Sequence, residues 1–229
     1  MSTRLKEKSG VYFLFSRLFR EAPDSLVLHK IVEKKLLTFS HYFFEEHEQL
    51  TEGILEEIDW KTKVENIAVE YTALFVAPGD HAICPYGSFY CDSIVIDTST
   101  ADSCYFPSES IRDWGIKGLI AGPSSNVVKR AYFEQGYRID IGGYRLPDHI
   151  ACELEFVGRM YQEGKIDVVQ AFLRNFFAPW IFLFLDKVKQ QNYSDFYQKV
   201  AFSLEKFMQE EFRDVFPLEN IATSGCEKP

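Results

Sequence analysis

The recurrence of apolar residues at helical spacing is the feature that most constrains how this chain folds. Near the N-terminus, Val11, Leu14, Phe15, Leu18 and Phe19 follow the spacing i, i+3, i+4, i+7 and i+8. This spacing places them on one stripe of an amphipathic helix. The same spacing recurs in further segments, at 28–39, 64–75, 127–135, 150–161, 168–176 and 193–212. The chain is therefore predicted to be all-α.

A long stretch without helical spacing, residues 79–107, interrupts this pattern. It contains Pro85, Gly87 and many short polar side chains, which are typical of loops. Within it, residues 93–98 have the β-branched composition of a strand but no evident pairing partner. Residues 111–119 are predicted to form a short helix. We expect a helical bundle with one long irregular loop.

The length and charge of the chain narrow its organisation and its partners. At 229 residues the chain can bury its own core, and we expect a single domain over 1–222 with a frayed tail at 223–229. The formal net charge of −9 disfavours general nucleic-acid binding and favours a cationic peptide partner. The glycines within 136–146 make a flexible link, which permits a monomer or a domain-exchanged dimer.

Cysteine content and hydropathy indicate the compartment. The 5 cysteines are odd in number and lie in a chain of this size, so they do not indicate a disulfide framework. No secretory signal is evident at the N-terminus. The longest apolar run, residues 176–185, contains Pro179 and falls short of the roughly 20 residues that span a bilayer. We expect a cytoplasmic protein without stable membrane insertion.

Two groups of side chains raise the alternative of a metal-dependent enzyme. His81, Cys84, Cys91 and Cys104 fall in one region, but their gaps are wider than those of structural zinc sites. His149 begins a second group with helical spacing, which a capping or core histidine explains. The sequence contains no phosphate-binding glycine motif and no G-x-S-x-G elbow. We therefore predict no cofactor and no catalytic activity.

Aromatic residues concentrate in two neighbouring segments, 70–79 and 84–92. Apolar walls with a few polar tips are typical of a groove that holds an apolar peptide or helix. Ordinary core packing explains the same composition, and both interpretations stay open at this point.

Residues 70–92, EYTALFVAPGDHAICPYGSFYCD, resemble the motif E-[YW]-x-x-L-F-x-G-P followed by P-[WY]-x-S-x-[YW]-x-D of the TorD/DmsD/NarJ redox-enzyme maturation chaperones. Residues 147–157, PDHIACELEFV, and 172–180, FLRNFFAPW, resemble two further blocks of that family, in the same order. Residues 122–136 resemble the family's helix between them. Ala77 and Phe176 depart from the pattern, standing where the family usually has Gly and His.

The resemblance implies an all-helical cytoplasmic chaperone of the TorD-like type without catalytic turnover. Such a protein binds the twin-arginine signal peptide or the apoprotein of a molybdenum-dependent oxidoreductase, and holds it until the cofactor is inserted. A NarJ-like assembly factor, which acts on the enzyme body without reading a twin-arginine leader, is the alternative. Residues 93–121 look inserted relative to shorter members, which leaves the outer wall of the site open.

By position, the resemblance also implies which residues form the peptide-binding site. One wall comprises Tyr71, Leu74, Phe75, Pro85, Tyr86, Ser88, Tyr90 and Asp92, and the other comprises Asp148, His149 and Glu153. Asp92 and His149 stand out among them as polar residues that a generic core does not require.

Overall fold

The computed structural model describes residues 3–33, 59–95, 115–138 and 146–215. The elements in these ranges are α1 (Thr3–Arg20), α2 (Ser25–Glu33), α3 (Trp60–Phe75), α4 (Gly87–Cys91), β1 (Ser93–Val95), β2 (Gly115–Lys117), α5 (Pro123–Glu134), α6 (Ile150–Glu163), α7 (Ile166–Phe172), α8 (Ala178–Gln190) and α9 (Asp195–Val215). Helices dominate, which confirms the all-α class. The two short strands form an antiparallel pair.

Local sequence signals set several helix ends. At the start of α3, the Asp59 carboxylate accepts a hydrogen bond from the Thr62 amide at 3.2 Å, as an N-cap does. Pro123 occupies the first turn of α5, where its missing N–H costs nothing. Gly164 ends α6 with φ of 73°, a left-handed conformation that glycine adopts without strain. These ends lie within a few residues of those that the sequence predicts.

The region between α3 and α5 differs from the sequence prediction. Residues 87–91 form a helical turn and residues 93–95 a strand, so the expected irregular loop is partly ordered. The strand has a partner, since Ser93 pairs with Lys117 and Val95 with Gly115. The short helix expected over 111–119 is therefore wrong: backbone pairing with a distant segment overrides its local helical spacing.

Contacts within the chain divide it into two compact units. The first unit comprises Met1–Arg20 and Cys84–Phe184, and the second comprises Glu21–Ile83 and Leu185–Pro229. Compact units within one chain do not decide whether each folds independently, so the single domain over 1–222 stays a prediction.

In the first unit, α1 and α6 pack antiparallel through two hydroxyl groups. Ser9 Oγ donates to the carbonyl of Gly158 at 2.8 Å, and Ser16 Oγ donates to the carbonyl of Ala151 at 2.7 Å. The two serines are seven residues, or two turns, apart on α1, and the two carbonyls are seven residues apart on α6. Both hydrogen bonds therefore lie on the same face of each helix. Gly158 permits this approach, because an added Cβ would lie 3.2 Å from the Phe13 ring.

In the second unit, α3 and α9 share an aromatic contact. The ring centroid of Tyr197 lies 6.0 Å from that of Tyr71 and 5.1 Å from that of Phe75. Beside these rings, Ser194 Oγ donates to the Glu70 carboxylate at 2.5 Å and accepts from the Tyr197 amide at 3.1 Å. Ser194 thus caps the start of α9 and ties it to α3.

Helical backbone continues through Pro179. Residues Leu173–Phe177 form a π-helical segment, in which the Ala178 amide donates to the carbonyl of Leu173. The wider turn accommodates Pro179, which cannot donate a backbone hydrogen bond.

The resulting helix, Ile166–Gln190, is 25 residues long, and its most apolar 18-residue window has a mean hydropathy of 1.5. By length and composition alone this helix meets the requirement for a membrane span. That is a weak indication, because the core helix of a soluble protein can have the same length and composition; 44% of the window is buried inside the protein.

Several predicted features lie outside the described residues. They are the continuation of the second helix to residue 39, the loop portion at 96–107, the link residues 139–145 and the tail at 223–229.

Candidate functional site

The structure brings most of the predicted site residues together in the first compact unit. Three of the eleven, Tyr71, Leu74 and Phe75, belong to the second unit. There Tyr71 and Leu74 are buried, and Phe75 packs edge-on against Tyr197. Their core-packing interpretation therefore has direct structural support, while their role in peptide binding stays a prediction.

In the first unit, the segments 85–92 and 147–153 are joined by backbone hydrogen bonds. The Ile150 amide donates to the Pro85 carbonyl at 2.9 Å, and the Gly87 amide donates to the Asp148 carbonyl at 2.8 Å. Between these bonds, Tyr86 forms an isolated antiparallel bridge with His149, and the two rings pack edge to face. The parts of the two predicted walls that lie in the first unit are thus one connected structure.

Asp148 is the buried carboxylate that holds these segments together. Its side chain is 1% exposed and accepts hydrogen bonds from the Ser88 amide at 2.8 Å and from Ser125 Oγ at 2.6 Å. These donors belong to α4 and α5, so one side chain connects three parts of the unit. Asp148 is not the cap of α6, because His149 occupies that position.

His149 and Asp92, which the sequence analysis expects a generic core not to require, both accept hydrogen bonds from helix starts. His149 is buried and its Nδ1 accepts from the Ala151 amide at 3.1 Å, which caps the start of α6 and confirms the capping interpretation. Asp92 accepts from both the amide and the hydroxyl of Ser124, at 3.0 and 2.7 Å. Asp92 therefore caps α5 from 32 residues away, and the expectation that the fold does not need these residues is wrong.

A pocket of about 260 Å³ lies where these segments meet. Its lining residues are Gly87, Ser88, Cys91, Ser124, Val127, Val128, Asp148, Glu153, Asn175, Phe176, Pro179 and Trp180. We call it the carboxyl pocket. Gly87 permits the close approach of the Trp180 indole, because an added Cβ would lie 2.9 Å from Nε1. Among its described lining residues, none is Lys, Arg or His.

Glu153 and Trp180 present unpaired polar atoms at this pocket. Glu153 is 0% exposed and Trp180 is 1% exposed. Neither carboxylate oxygen of Glu153 has a hydrogen-bond partner in the described part of the chain, and neither does Nε1 of Trp180. Most buried polar groups in native proteins are paired, so such atoms point to a function.

Burial raises the pKa of Glu153 well above its usual range, and the negative charge of Asp148 raises it further. The Trp180 N–H partly offsets this effect, although its geometry falls short of a hydrogen bond. Desolvation, followed by the charges of Glu153, Asp92 and Asp148, also raises the pKa of the Cys91 thiol to about 11. The carboxyl pocket is therefore an environment that disfavours a further negative charge.

A second pocket, of about 490 Å³, lies beside α5 in the same unit and has the opposite charge. Its lining residues are Asn126, Lys129, Arg130, Tyr132, Phe133, Tyr137, Arg138 and Pro147. We call it the basic pocket. Phe133, at its edge, is 71% exposed and so offers apolar contact area at the surface.

The candidate metal ligands do not assemble within the described ranges. Among the described residues, no three His, Cys, Asp or Glu side chains lie together as a metal site requires. Cys104, the fourth member of the predicted set, lies outside those ranges.

Comparison of the sequence with protein families identifies the family of this chain. Residues 43–186, which include both segments of the carboxyl pocket, match the family described as nitrate reductase delta subunit. The chain belongs to that family. The resemblance to the TorD/DmsD/NarJ chaperones is thus confirmed, and so is the prediction that the protein is not a catalytic enzyme.

Two individual proteins are similar to this member of the nitrate reductase delta subunit family. A chaperone protein TorD from Shewanella pealeana is 21% identical over 199 residues, which cover 85% of this chain and 83% of that protein. A crystal structure described as a redox enzyme maturation protein from Archaeoglobus fulgidus matches with a TM-score of 0.51 and 21% identity, covering 91% and 96% of the two chains. The latter shows a shared fold. Together, the family and these relatives support a redox enzyme maturation chaperone.

Sequence reasoning missed several residues of the carboxyl pocket. Trp180 and Phe176 both lie in the third family block, which was available as a signal but implied no site residue. Val127 lines the pocket, and Ser125 donates a hydrogen bond to Asp148. Both lie on a helix that the sequence predicts, yet nothing local shows which face of it meets Asp148. Only the packing of α5 against the two segments reveals their position.

The raised pKa of Glu153 leads to a prediction about pH. The unfolded chain loses this proton near the ordinary pKa of 4.5, whereas the folded chain keeps it to higher pH. The wild-type unfolding free energy therefore falls as the pH rises above 4.5, by about 1.4 kcal/mol for each unit by which folding raises the pKa. Glu153→Gln removes this loss, so we expect the variant to be more stable than wild type at neutral pH.

Urea unfolding measured from pH 4 to pH 8 checks this prediction. The difference between wild type and Glu153→Gln should shrink as the pH falls toward 4.5. Glu163→Gln, an exposed change on the same helix, serves as the matched control and should follow the wild-type pH profile. Parallel profiles for wild type and Glu153→Gln would contradict a raised pKa at Glu153.

Proposed function

We propose that this protein is a cytoplasmic chaperone that binds the twin-arginine leader of a molybdenum-dependent oxidoreductase and holds the apoprotein until its cofactor is inserted. The observation that carries the proposal is the carboxyl pocket. It combines two buried acidic side chains with an apolar rim, and family membership supplies the biological context. The cytoplasmic location follows from the proposal, because the cargo is held before export.

The chemistry of a twin-arginine leader complements this pocket. Such a leader carries an arginine pair followed by an apolar stretch, so it needs carboxylates beside an apolar surface. Asp148 and Glu153 supply the carboxyl groups. Val127, 49% exposed, lies at the rim with the more buried Phe176, and both offer apolar contact area. A micromolar Kd requires only about 8 kcal/mol, which a few such contacts supply.

The basic pocket favours a second candidate function, the assembly of an apoenzyme body without leader recognition. An exposed phenylalanine between Lys129, Arg130 and Arg138 fits an apolar protein surface with acidic neighbours. A leader with two arginines does not fit this surface, because like charges repel. We therefore propose that the two cargo types bind different faces of α5.

Isothermal titration with leader peptides from the same genome, against scrambled peptides, tests the first function. We expect one leader to bind with a micromolar Kd, and replacement of its arginine pair by Lys-Lys to weaken binding about tenfold, because lysine lacks the planar fork that pairs with carboxylates. If no leader binds, the leader-reading function is wrong.

Substitutions at two exposed positions on α5 distinguish the two candidate functions. Val127→Lys places a cation at the rim of the carboxyl pocket, where it competes with a leader arginine, and should weaken leader binding about tenfold. Phe133→Ser removes the exposed ring of the basic pocket and should reduce co-purification of the apoenzyme from cells instead. Each variant is the matched control of the other, because both sites are exposed and lie on one helix.

The oligomeric state stays a prediction, with a monomer and a domain-exchanged dimer both consistent with the link at 136–146. Size-exclusion chromatography of the protein used for titration decides between them.

A further inference from the structure

We propose that the carboxyl pocket binds a single basic side chain, and that Glu153 releases its proton to solvent as the cation enters. This inference rests on the proposed function, since it names the part of the cargo that the pocket recognises. The charge balances, because one positive group enters the pocket and one proton leaves it. Glu153 and the indole of Trp180 are the residues that would contact the bound group.

The size of the pocket limits what can enter. At about 260 Å³ it is smaller than the roughly 300–1,000 Å³ typical of pockets for drug-sized ligands. One long side chain fits such a volume. The apolar rim of Val127, Phe176 and Pro179 suits the aliphatic stem of an arginine or lysine.

The unpaired atoms at the inner wall define the chemistry of the group that enters. Both oxygens of Glu153 lack a hydrogen-bond partner within the described residues, so the ionised carboxylate has its full accepting capacity free. A guanidinium donates two parallel hydrogen bonds to a carboxylate, which a neutral amide or an ammonium group does not match. Arginine is therefore preferred over lysine.

The groups around Glu153 explain why its proton leaves only when a cation arrives. Asp148 precedes α6, Cys91 lies on α4 and Tyr132 lies on α5, and each interacts electrostatically with Glu153. Trp180, on α8, contributes only its N–H. None of these groups carries a positive charge, so the ionised carboxylate would be buried without a counterion among the described residues. A bound guanidinium supplies that counterion.

The probe for this inference is L-arginine amide, with L-norleucine amide as the control, because it carries the same α-amino group and an aliphatic side chain without charge. The chain has 3 tryptophans, so the indole N–H of Trp180 gives one of three indole NMR signals, and Trp180→Phe assigns it. We expect arginine amide to shift this signal saturably, with a Kd on the order of 1–10 mM for so small a ligand. Norleucine amide should not shift it.

Proton release adds a pH signature that simple charge attraction lacks. The affinity for arginine amide should rise about tenfold per pH unit while Glu153 is protonated in the free protein and ionised in the complex. Glu153→Gln should weaken binding at least tenfold at neutral pH and abolish this slope. Glu163→Gln, exposed on the same helix, should keep both the affinity and the slope.

The outcomes separate this inference from the proposed function. If a leader binds but arginine amide leaves the Trp180 signal unchanged, or norleucine amide shifts it equally, the pocket assignment is wrong and the chaperone function stands. If arginine amide binds with an affinity that does not change with pH, the proposed release of a proton from Glu153 is wrong. If arginine amide behaves as expected while no leader or apoprotein binds, the site stands and the function fails.

Discussion

Replacement of Asp148 by alanine is expected to lower the unfolding free energy by about 3 kcal/mol. The side chain is 1% exposed and accepts hydrogen bonds from the Ser88 amide and from Ser125 Oγ. Alanine leaves both donors buried without an acceptor and disconnects α4 and α5 from the start of α6. Removal of the charge also removes one cause of the raised pKa of Glu153. Urea unfolding followed by circular dichroism measures the change.

Asp80→Ala is the matched control for Asp148→Ala. Asp80 is exposed in a turn, so its replacement should change the unfolding free energy by no more than about 0.5 kcal/mol. Asp148→Asn should fall between the two, because the amide oxygen still accepts from one donor. Equal stabilities for Asp148→Ala and Asp80→Ala would contradict the role of Asp148 as the connecting carboxylate.

Replacement of Trp180 by alanine is expected to have a still larger effect, about 4 kcal/mol. The indole is 1% exposed, and its ring stacks on Tyr90 at 5.8 Å between centroids. It also meets Phe177 and Phe184 edge-on, at 5.7 and 5.9 Å. Alanine leaves a large cavity among these rings, which the surrounding helices can fill only in part. Thermal unfolding by differential scanning calorimetry measures the loss.

Trp60→Ala provides the comparison for Trp180→Ala. Trp60 is only partly buried at the start of α3, where it packs against His29. We expect its replacement to cost roughly half as much, since less apolar surface returns to water. Equal losses for the two variants would show that the indole of Trp180 is not the packing centre of the first unit.

Both large effects bear on how the candidate site should be tested. Asp148 and Trp180 hold the first unit together, so a loss of cargo binding in their alanine variants would also reflect a loss of structure. Val127→Lys and Glu153→Gln avoid this problem, because one changes an exposed side chain and the other keeps the shape of the protonated carboxyl. Cargo binding is therefore best measured with those two variants.

Asp92 shows why local patterns are insufficient at the site. The sequence suggests a polar residue that a core does not need, yet its carboxylate caps α5 through Ser124. An ordinary N-cap lies next to its helix and is visible in the sequence, as Asp59 is before α3. A cap supplied from 32 residues away has no local pattern, so only the folded chain reveals it.

The pairing of β1 with β2 shows that local patterns are insufficient for the fold as well. Residues 93–95 have strand composition, but their partner at 115–117 lies in a segment whose spacing predicts a helix. Pairing between distant segments depends on register and burial, which short-range periodicity does not encode.

The sequence by itself determined the helical class, most helix boundaries and the family, because helical spacing, capping residues and ordered motif blocks are properties of neighbouring residues. Tertiary structure alone decided that Tyr71, Leu74 and Phe75 fall in the second unit, while Glu153 is buried in the first without a hydrogen-bond partner among the described residues. Burial and hydrogen-bond pairing arise from residues far apart in the chain. The chemistry of the carboxyl pocket, which depends on both, therefore became visible only in the folded protein.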